Sequence, residues 1–377
     1  MKSTKNILIA VTLVTISLFV FSCGDDDYIS GGRSGNNGDL SEKVEGRVVN
    51  AYVTYYGKSI PDPTYFTHLF YSFAELYMDN GAYKGFKVEG DETRFEQIVN
   101  LKKSYPNLKI SIAFTNNIEN SDNKQGGGFS ALAKSDEYRK AFAKDCKAFL
   151  QKWNIDGVDM DWEFPGLSWA VGGVYDLKAD VANHVLLMRD LRETLGNTYL
   201  LTYAGYCKGL EKSGEDSRYI DIAAVAPYVD MVNIMTYDMD EAPHHQSALQ
   251  STAAFQDCER AVKAYLDAGM PANKLVLGIP FYGRHSFSTT PLSINYSAIV
   301  TLDTRYYKID NWDESASVPY VTFNGQYYCG YDNEKSIAIK GKWLLEKGMK
   351  GIMYWDYDGD DSSGTLRRAV WEACMKK

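Results

Sequence analysis

The chain has 377 residues, 45% of them hydrophobic and 24% charged, with a formal net charge of -9. That apolar share is ample for a core, and the negative balance, without a basic tract, phosphate-binding loop or dinucleotide glycine pattern, argues against a nucleic-acid partner. After Cys23, the five cysteines Cys146, Cys207, Cys258, Cys329 and Cys374 are scattered and odd in number, so neither a disulfide framework nor a zinc set is indicated.

In chain order, Lys2 and Lys5 precede an apolar run from Ile7 to Phe21 that is too short to span a membrane comfortably, so residues 1–22 read as a signal peptide. Val20-Phe21-Ser22-Cys23 resembles the lipobox of bacterial lipoproteins, which implies cleavage before Cys23 and a lipid on that cysteine. Gly24-Asp25-Asp26-Asp27 resembles the acidic signal that exports such lipoproteins of Bacteroidetes to the outer cell surface. An outer-membrane lipoprotein facing the exterior is therefore expected, the alternative being a plain secreted protein with a chance cysteine. Residues 23–43, rich in Gly, Ser, Asn and Asp, cannot bury enough surface to fold and read as a tether.

The folded part is expected over 44–377. Short apolar runs predict strands at Val48–Tyr55, His68–Leu76, Lys109–Phe114, Gly157–Phe164, Tyr199–Tyr206, Met231–Tyr237, Leu275–Tyr282 and Gly351–Tyr357. Amphipathic stretches such as Arg94–Tyr105, Glu137–Trp153, Leu177–Leu195, Ala253–Ala268 and Ser336–Lys347 predict helices between them. Eight alternating units imply parallel strands with right-handed crossovers, closed into an α/β (β/α)8 TIM barrel. The rhythm breaks at about 286–333, where Tyr, Thr and Val with Trp312, Pro319, Gly325 and Gly330 predict a small α+β insertion domain after the seventh strand.

The densest chemistry lies in Asp156-Gly157-Val158-Asp159-Met160-Asp161-Trp162-Glu163-Phe164-Pro165. Alternation along a strand would send Asp159, Asp161 and Glu163 to one face and Val158, Met160, Trp162 and Phe164 to the other. Like charges crowded in a dry site raise at least one pKa towards neutrality, as a general acid requires. A solvated face, a metal site and structural ion pairing are the competing readings. For a calcium loop, Phe164 stands where glycine is needed, so no metal is expected.

These residues resemble the chitinases of glycoside hydrolase family 18. Asp156, Asp159, Asp161 and Glu163 meet the family pattern D-x-x-D-x-D-x-E in full, and Met235-Thr236-Tyr237-Asp238 matches M-x-Y-D. Tyr71-Ser72-Phe73-Ala74, the run Gly278 to Arg284 and the run Gly351 to Asp356 are also similar, as are Val318-Pro319-Tyr320 and the run Tyr331 to Ser336 in the insertion. The third strand departs from the family's S-x-G-G, reading Ser111-Ile112-Ala113-Phe114 followed by Thr115-Asn116. Larger side chains there are expected to reshape the sugar groove.

The resemblance implies hydrolysis of β-1,4-linked N-acetylglucosamine chains with retention, in which the substrate's 2-acetamido oxygen, not a protein carboxylate, attacks C1. On that reading Glu163 is the acid and base, Asp161 orients the acetamido N–H, Asp159 shares a proton with Asp161, and Tyr237 donates to the acetamido oxygen. Trp355 would floor the cleavage site, with Phe73, Met235, Asp238, Tyr282 and Arg284 binding substrate, and Asp156 would brace the turn into its strand. No cofactor is implied. The expected partner is an N-acetylglucosamine-containing oligo- or polysaccharide met by a monomer, with membrane contact through the lipid alone. Two alternatives stay open: an endo-β-N-acetylglucosaminidase acting on N-glycan cores, and a glycan-binding lipoprotein without catalysis.

Overall fold

The computed structural model describes residues 43–115, 128–166, 176, 178–207, 219–251 and 256–375. The signal peptide, Cys23 and the tether up to residue 42 lie outside the described residues. The expected barrel is present. In chain order, the strands that build its sheet are β1 (Val48–Thr54), β2 (His68–Asp79), β3 (Ala82–Val88), β4 (Lys109–Thr115), β5 (Gly157–Asp161), β6 (Leu200–Gly205), β7 (Met231–Ile234) and β8 (Leu275–Pro280). A later strand, Gly351–Trp355, numbered β14 because five others precede it, completes the set. Their order is β1-β14-β8-β7-β6-β5-β4-β2-β3, and a β1–β2 pairing closes the ring. All ring pairings are parallel; β3 hangs on β2 as an antiparallel hairpin.

The two faces of each strand explain the closure. Val49, Ala51 and Val53 of β1, Ile110, Ile112 and Phe114 of β4 and Val158 and Met160 of β5 join the large outer core under the helices. Val48, Tyr52, Phe70, Ala113, Met231, Val276 and Met353 make a smaller core inside the ring. Strands buried on both faces read as near-continuous apolar runs, which is why the eight were visible in the sequence.

The helices start where side chains supply caps. Asp91 accepts from the N–H of Thr93 ahead of helix Glu92–Ser104, and Ser135 from that of Tyr138 ahead of helix Asp136–Trp153, which ends at Asn154 in the left-handed region. Asp156 lies at the far end of β5 from the acids and binds Lys102 at 2.6 Å, Lys109 at 3.1 Å and the N–H of Ile110 at 2.9 Å. It ties helix to strand.

Several expected elements differ from the fold, three of them at the site. The strand expected to run to Phe164 stops at Asp161, so Glu163 sits just beyond the sheet. β7 likewise stops at Ile234, short of Tyr237. The seventh expected strand divides after Pro280, and β9 (Tyr282–Arg284) leaves the barrel for a second sheet. That sheet is antiparallel, with β10 (Ser293–Asn295), β11 (Tyr307–Asp313), β12 (Val318–Phe323) and β13 (Gln326–Gly330) in the order β10-β9-β13-β12-β11. Helix Glu334–Glu346 follows it and leads back to β14.

Candidate active site

The carboxyl ends of the barrel strands open into a cleft of about 990 Å³. Asp161, Glu163, Tyr237, Trp355, Phe73, Met235, Asp238, Tyr282 and Arg284 all line it. Asp159 does not; it lies one layer deeper, with none of its surface exposed.

Asp159 is held from both sides. Tyr52 on β1 donates to its Oδ2 at 2.7 Å and Thr202 on β6 to its Oδ1 at 2.5 Å. Asn233 on β7 donates to the Tyr52 hydroxyl at 3.0 Å, and Asn50 to Asn233 at 2.7 Å. Burial raises the Asp159 pKa to about 6, while the bonds from Thr202, Tyr52 and Asn233 pull the other way. Burial of charge without full compensation favours the neutral acid.

Asp161 and Glu163 hydrogen-bond to one another. Burial first, then the charges of Glu163 and Asp159, push Asp161 well above the carboxylate range. Glu163 is raised by burial and by Asp238, and the bond with Asp161 acts to lower it. Both carboxyls are thus biased towards the protonated form, and the pair shares a proton. Asp161 Oδ1 is buried and has no hydrogen-bond partner, so a polar group of a ligand has an acceptor waiting there.

Tyr237 arrives from the loop after β7. Gly278 makes room for it: a Cβ at that position would fall 2.4 Å from the Ile234 carbonyl and 2.9 Å from the Tyr237 ring. Among the described residues, the hydrogen-bond partner of the Tyr237 hydroxyl is the Met353 sulfur at 4.0 Å, which is a poor acceptor. Burial and the neighbouring acidic groups hold it well above its ordinary pKa, so it stays a donor.

The cleft floor is aromatic. Trp355 stacks on Phe73 at 5.7 Å and 22°, and tilts against Tyr52 at 5.7 Å, which in turn stacks on Phe70 at 5.0 Å. Phe164 and Tyr206, with rings 4.0 Å apart, also line the cleft. Arg284 forks onto Asp238 with two bonds of 2.8 Å, so these two residues engage each other in one wall of the cleft. Asp356, next to the floor, accepts from the Gly359 N–H at 3.0 Å, and its pKa is raised to about 6 by burial and by Asp358.

The altered third strand reshapes the groove less than expected. Phe114 points outward, edge-on to Phe86 at 4.8 Å and Phe142 at 5.0 Å under the helices. Ala113 is in the inner core and Thr115, paired with Asp161, is the one residue of β4 that lines the cleft. Strand alternation sends Phe114 away from the site. Sequence reasoning had not singled out Tyr52, Thr202, Asn233, Tyr206 or Asp356. The first three stand alone on separate strands, and no local spacing marks them.

A barrel whose strand ends gather two hydrogen-bonded carboxyls, an uncommitted tyrosine hydroxyl and an aromatic floor has the makings of a carbohydrate-processing site. Sequence comparison agrees. The profile of Glycosyl hydrolases family 18 matches residues 48–360, and the chain belongs to that family. Chitinase A1 of Niallia circulans is 32% identical over 321 residues, covering 70% of this chain but 42% of that protein. Probable chitinase 2 of Drosophila melanogaster is 29% identical over 379 residues, covering 88% and 75%. Among solved structures, a family 18 N-acetylglucosaminidase from Paenibacillus barengoltzii superposes with a TM-score of 0.72 at 26% identity, covering 87% of this chain and 99% of that one. The Group IV chitinase of Ostrinia furnacalis gives 0.72 at 25% identity with the same coverage.

Proposed function

We propose that this protein hydrolyses β-1,4-linked N-acetylglucosamine chains by substrate-assisted catalysis with retention at the anomeric carbon. The observation that carries the proposal is the mutually hydrogen-bonded pair of buried Asp161 and half-buried Glu163 on one wall of the cleft. Two acids acting from opposite faces of a sugar cannot also bond to each other, because a ring must fit between them. Asp238 is committed to Arg284 and Asp356 to Gly359. The acetamido oxygen is then the nucleophile that reaches C1. Chitinases among the relatives, and allosamidin bound to the Ostrinia enzyme, support this substrate class.

In this reading the sugar rests on Trp355 and its acetamido N–H engages Asp161, whose hydrogen bond to Glu163 is replaced. The proton passes to Glu163, which delivers it to the leaving oxygen. The C1–O bond breaks as the acetamido oxygen bonds to C1, giving an oxazolinium ion steadied by Asp161 and by the Tyr237 hydroxyl. Water, deprotonated by Glu163, opens that ion from the face the leaving group vacated. Asp159, with its raised affinity for protons and its charge felt by Asp161, shares a proton with Asp161 during the cycle.

The test compares fully N-acetylated chitohexaose with its 2-amino counterpart, beside a high-mannose glycoprotein. Rapid cleavage of the first with the β-anomer released initially, slow cleavage of the second and an untouched glycoprotein are expected. Efficient cleavage of the amine form would remove the mechanism, and glycan release from the glycoprotein would move the substrate to N-glycan cores.

A further inference from the structure

The Tyr237 hydroxyl is weakly tied, its partner among the described residues being the Met353 sulfur. A side chain without a strong partner at its tip keeps its aim through its backbone and its packing. That backbone has already left the sheet, because β7 ends at Ile234, three residues before Tyr237. On the β6 side the ladder runs one residue further, with the Met235 N–H donating to the Gly205 carbonyl at 2.9 Å. On the β8 side the last pair is Ile234 with Leu277.

Thr236 takes over at that point. Its hydroxyl donates to the Gly278 carbonyl at 2.7 Å and accepts from the Gly278 N–H at 2.9 Å, so one side chain satisfies both backbone groups of one residue on β8. A hydroxyl can do this because it carries a donor and two acceptor sites. Both residues are buried, and without that hydroxyl the Gly278 N–H and carbonyl would lose this partner away from water. Gly278 is also the seat of the Tyr237 ring, which fills the room that a Cβ would need. On the other side of Tyr237, Asp238 has a φ of 52°, a left-handed conformation uncommon for a residue other than glycine. Arg284 holds its carboxylate, and buried Gln246 accepts from its N–H at 3.4 Å. Of the two residues that flank Tyr237, Thr236 is the one bonded to the glycine against which the ring packs.

We propose that Thr236 is a positioning residue for the reaction: its two bonds to Gly278 fix the backbone from which Tyr237 projects, and so place the Tyr237 hydroxyl at the acetamido oxygen. Thr236 itself does not line the cleft and touches no reacting atom. In the M-x-Y-D pattern it stands at the unspecified position, so the motif gives it no role. The inference rests on the proposed function, in which Tyr237 donates to the substrate, and adds that the aim of this donor is set by a hydroxyl outside the cleft lining.

Thr236→Val keeps the shape of the side chain and removes the hydroxyl, whereas Thr236→Ser keeps the hydroxyl. On chitohexaose, Thr236→Val is expected to lower kcat about tenfold to hundredfold with KM within about threefold of wild type, and Thr236→Ser to stay within about twofold in both. The same substitution in a Tyr237→Phe background separates aim from general damage, since a residue that acts through the Tyr237 hydroxyl has nothing left to place once that hydroxyl is gone. There, Thr236→Val should cost less than about twofold. An equal loss in both backgrounds, no loss in either, or a serine variant as impaired as the valine one overturns the inference. If the valine variant does not fold, Thr236→Ala enters the same cycle; failure of both to fold would make Thr236 a structural residue and overturn the inference as well. A Tyr237→Phe enzyme as active as wild type would instead remove Tyr237 from the proposed function, and this inference with it.

Discussion

Glu163 and Asp159 sit four residues apart in the sequence and call for opposite expectations. Glu163→Gln keeps the shape of the side chain and removes the proton that the leaving group needs, so turnover should drop by several orders of magnitude while oligosaccharide binding persists. Near-normal turnover in a folded variant would discard Glu163 as the acid. Asp159 is a matter of stability as well as chemistry. Its pKa is ordinary when unfolded and about 6 when folded, so its contribution to stability is full below about pH 4 and is lost as pH rises through about 6. The loss is about 3 kcal/mol. Asp159→Asn removes that burden and can still accept from Tyr52 and donate to Thr202. Thermal melts across pH 4 to 7 should show this variant flatter in its pH response and more stable near neutrality, with activity much reduced. A variant less stable than wild type at pH 7 would mean that the hydrogen bonds to the charged form outweigh its desolvation.

Among the ties between the second sheet and the barrel is a buried ion pair at the end of β13. Lys340, on helix Glu334–Glu346, donates to both oxygens of Asp332 at 2.7 and 2.9 Å, and both residues are buried. Ser247 and Ser336 also donate to Asp332, at 2.6 and 2.7 Å. Removing one partner strands the other, so Lys340→Met should destabilise the protein by about 3–5 kcal/mol, and adding Asp332→Asn should recover much of that. Urea unfolding of both variants reads this directly; a double variant no better than the single would mean that the pair matters for more than its charge. How the elements were legible follows from the same physics. The eight ring strands showed because both their faces are apolar, whereas β3, half-exposed along its length and carrying Lys84 and Lys87, offered no such run. Strand ends were overrun at Glu163 and Tyr237 because the side chains beyond β5 and β7 continue the apolar pattern inside the cleft. At the site, the clustered motif revealed Asp161 and Glu163, while Tyr52, Thr202 and Asn233 meet at Asp159 only through closure of the ring.

On the scale of the whole chain, the proposed substrate class bears on where the molecule has to work. Chitin chains are too large to cross a bilayer, so an enzyme that attacks them from a cell must face outward. Among the described residues no helix is long and apolar enough to cross a membrane. We propose that attachment comes from lipid on Cys23, with Gly24-Asp25-Asp26-Asp27 directing the protein to the outer surface and residues up to 43 forming the tether. More than one acyl chain is needed to make such an anchor effectively permanent, since each buried methylene adds about 0.8 kcal/mol and a single chain holds only marginally. Cells given labelled fatty acid should incorporate label into the wild type and none into Cys23→Ala, and protease added to intact cells should digest the wild-type enzyme. Detergent-solubilised wild type and Cys23→Ala should cleave soluble oligomers at the same rate, because the proposed catalytic groups all lie in the barrel. Absence of label from the wild type would overturn the anchor, and protection from external protease would keep the anchor but put the enzyme on the inner face of its membrane, out of reach of polymeric substrate.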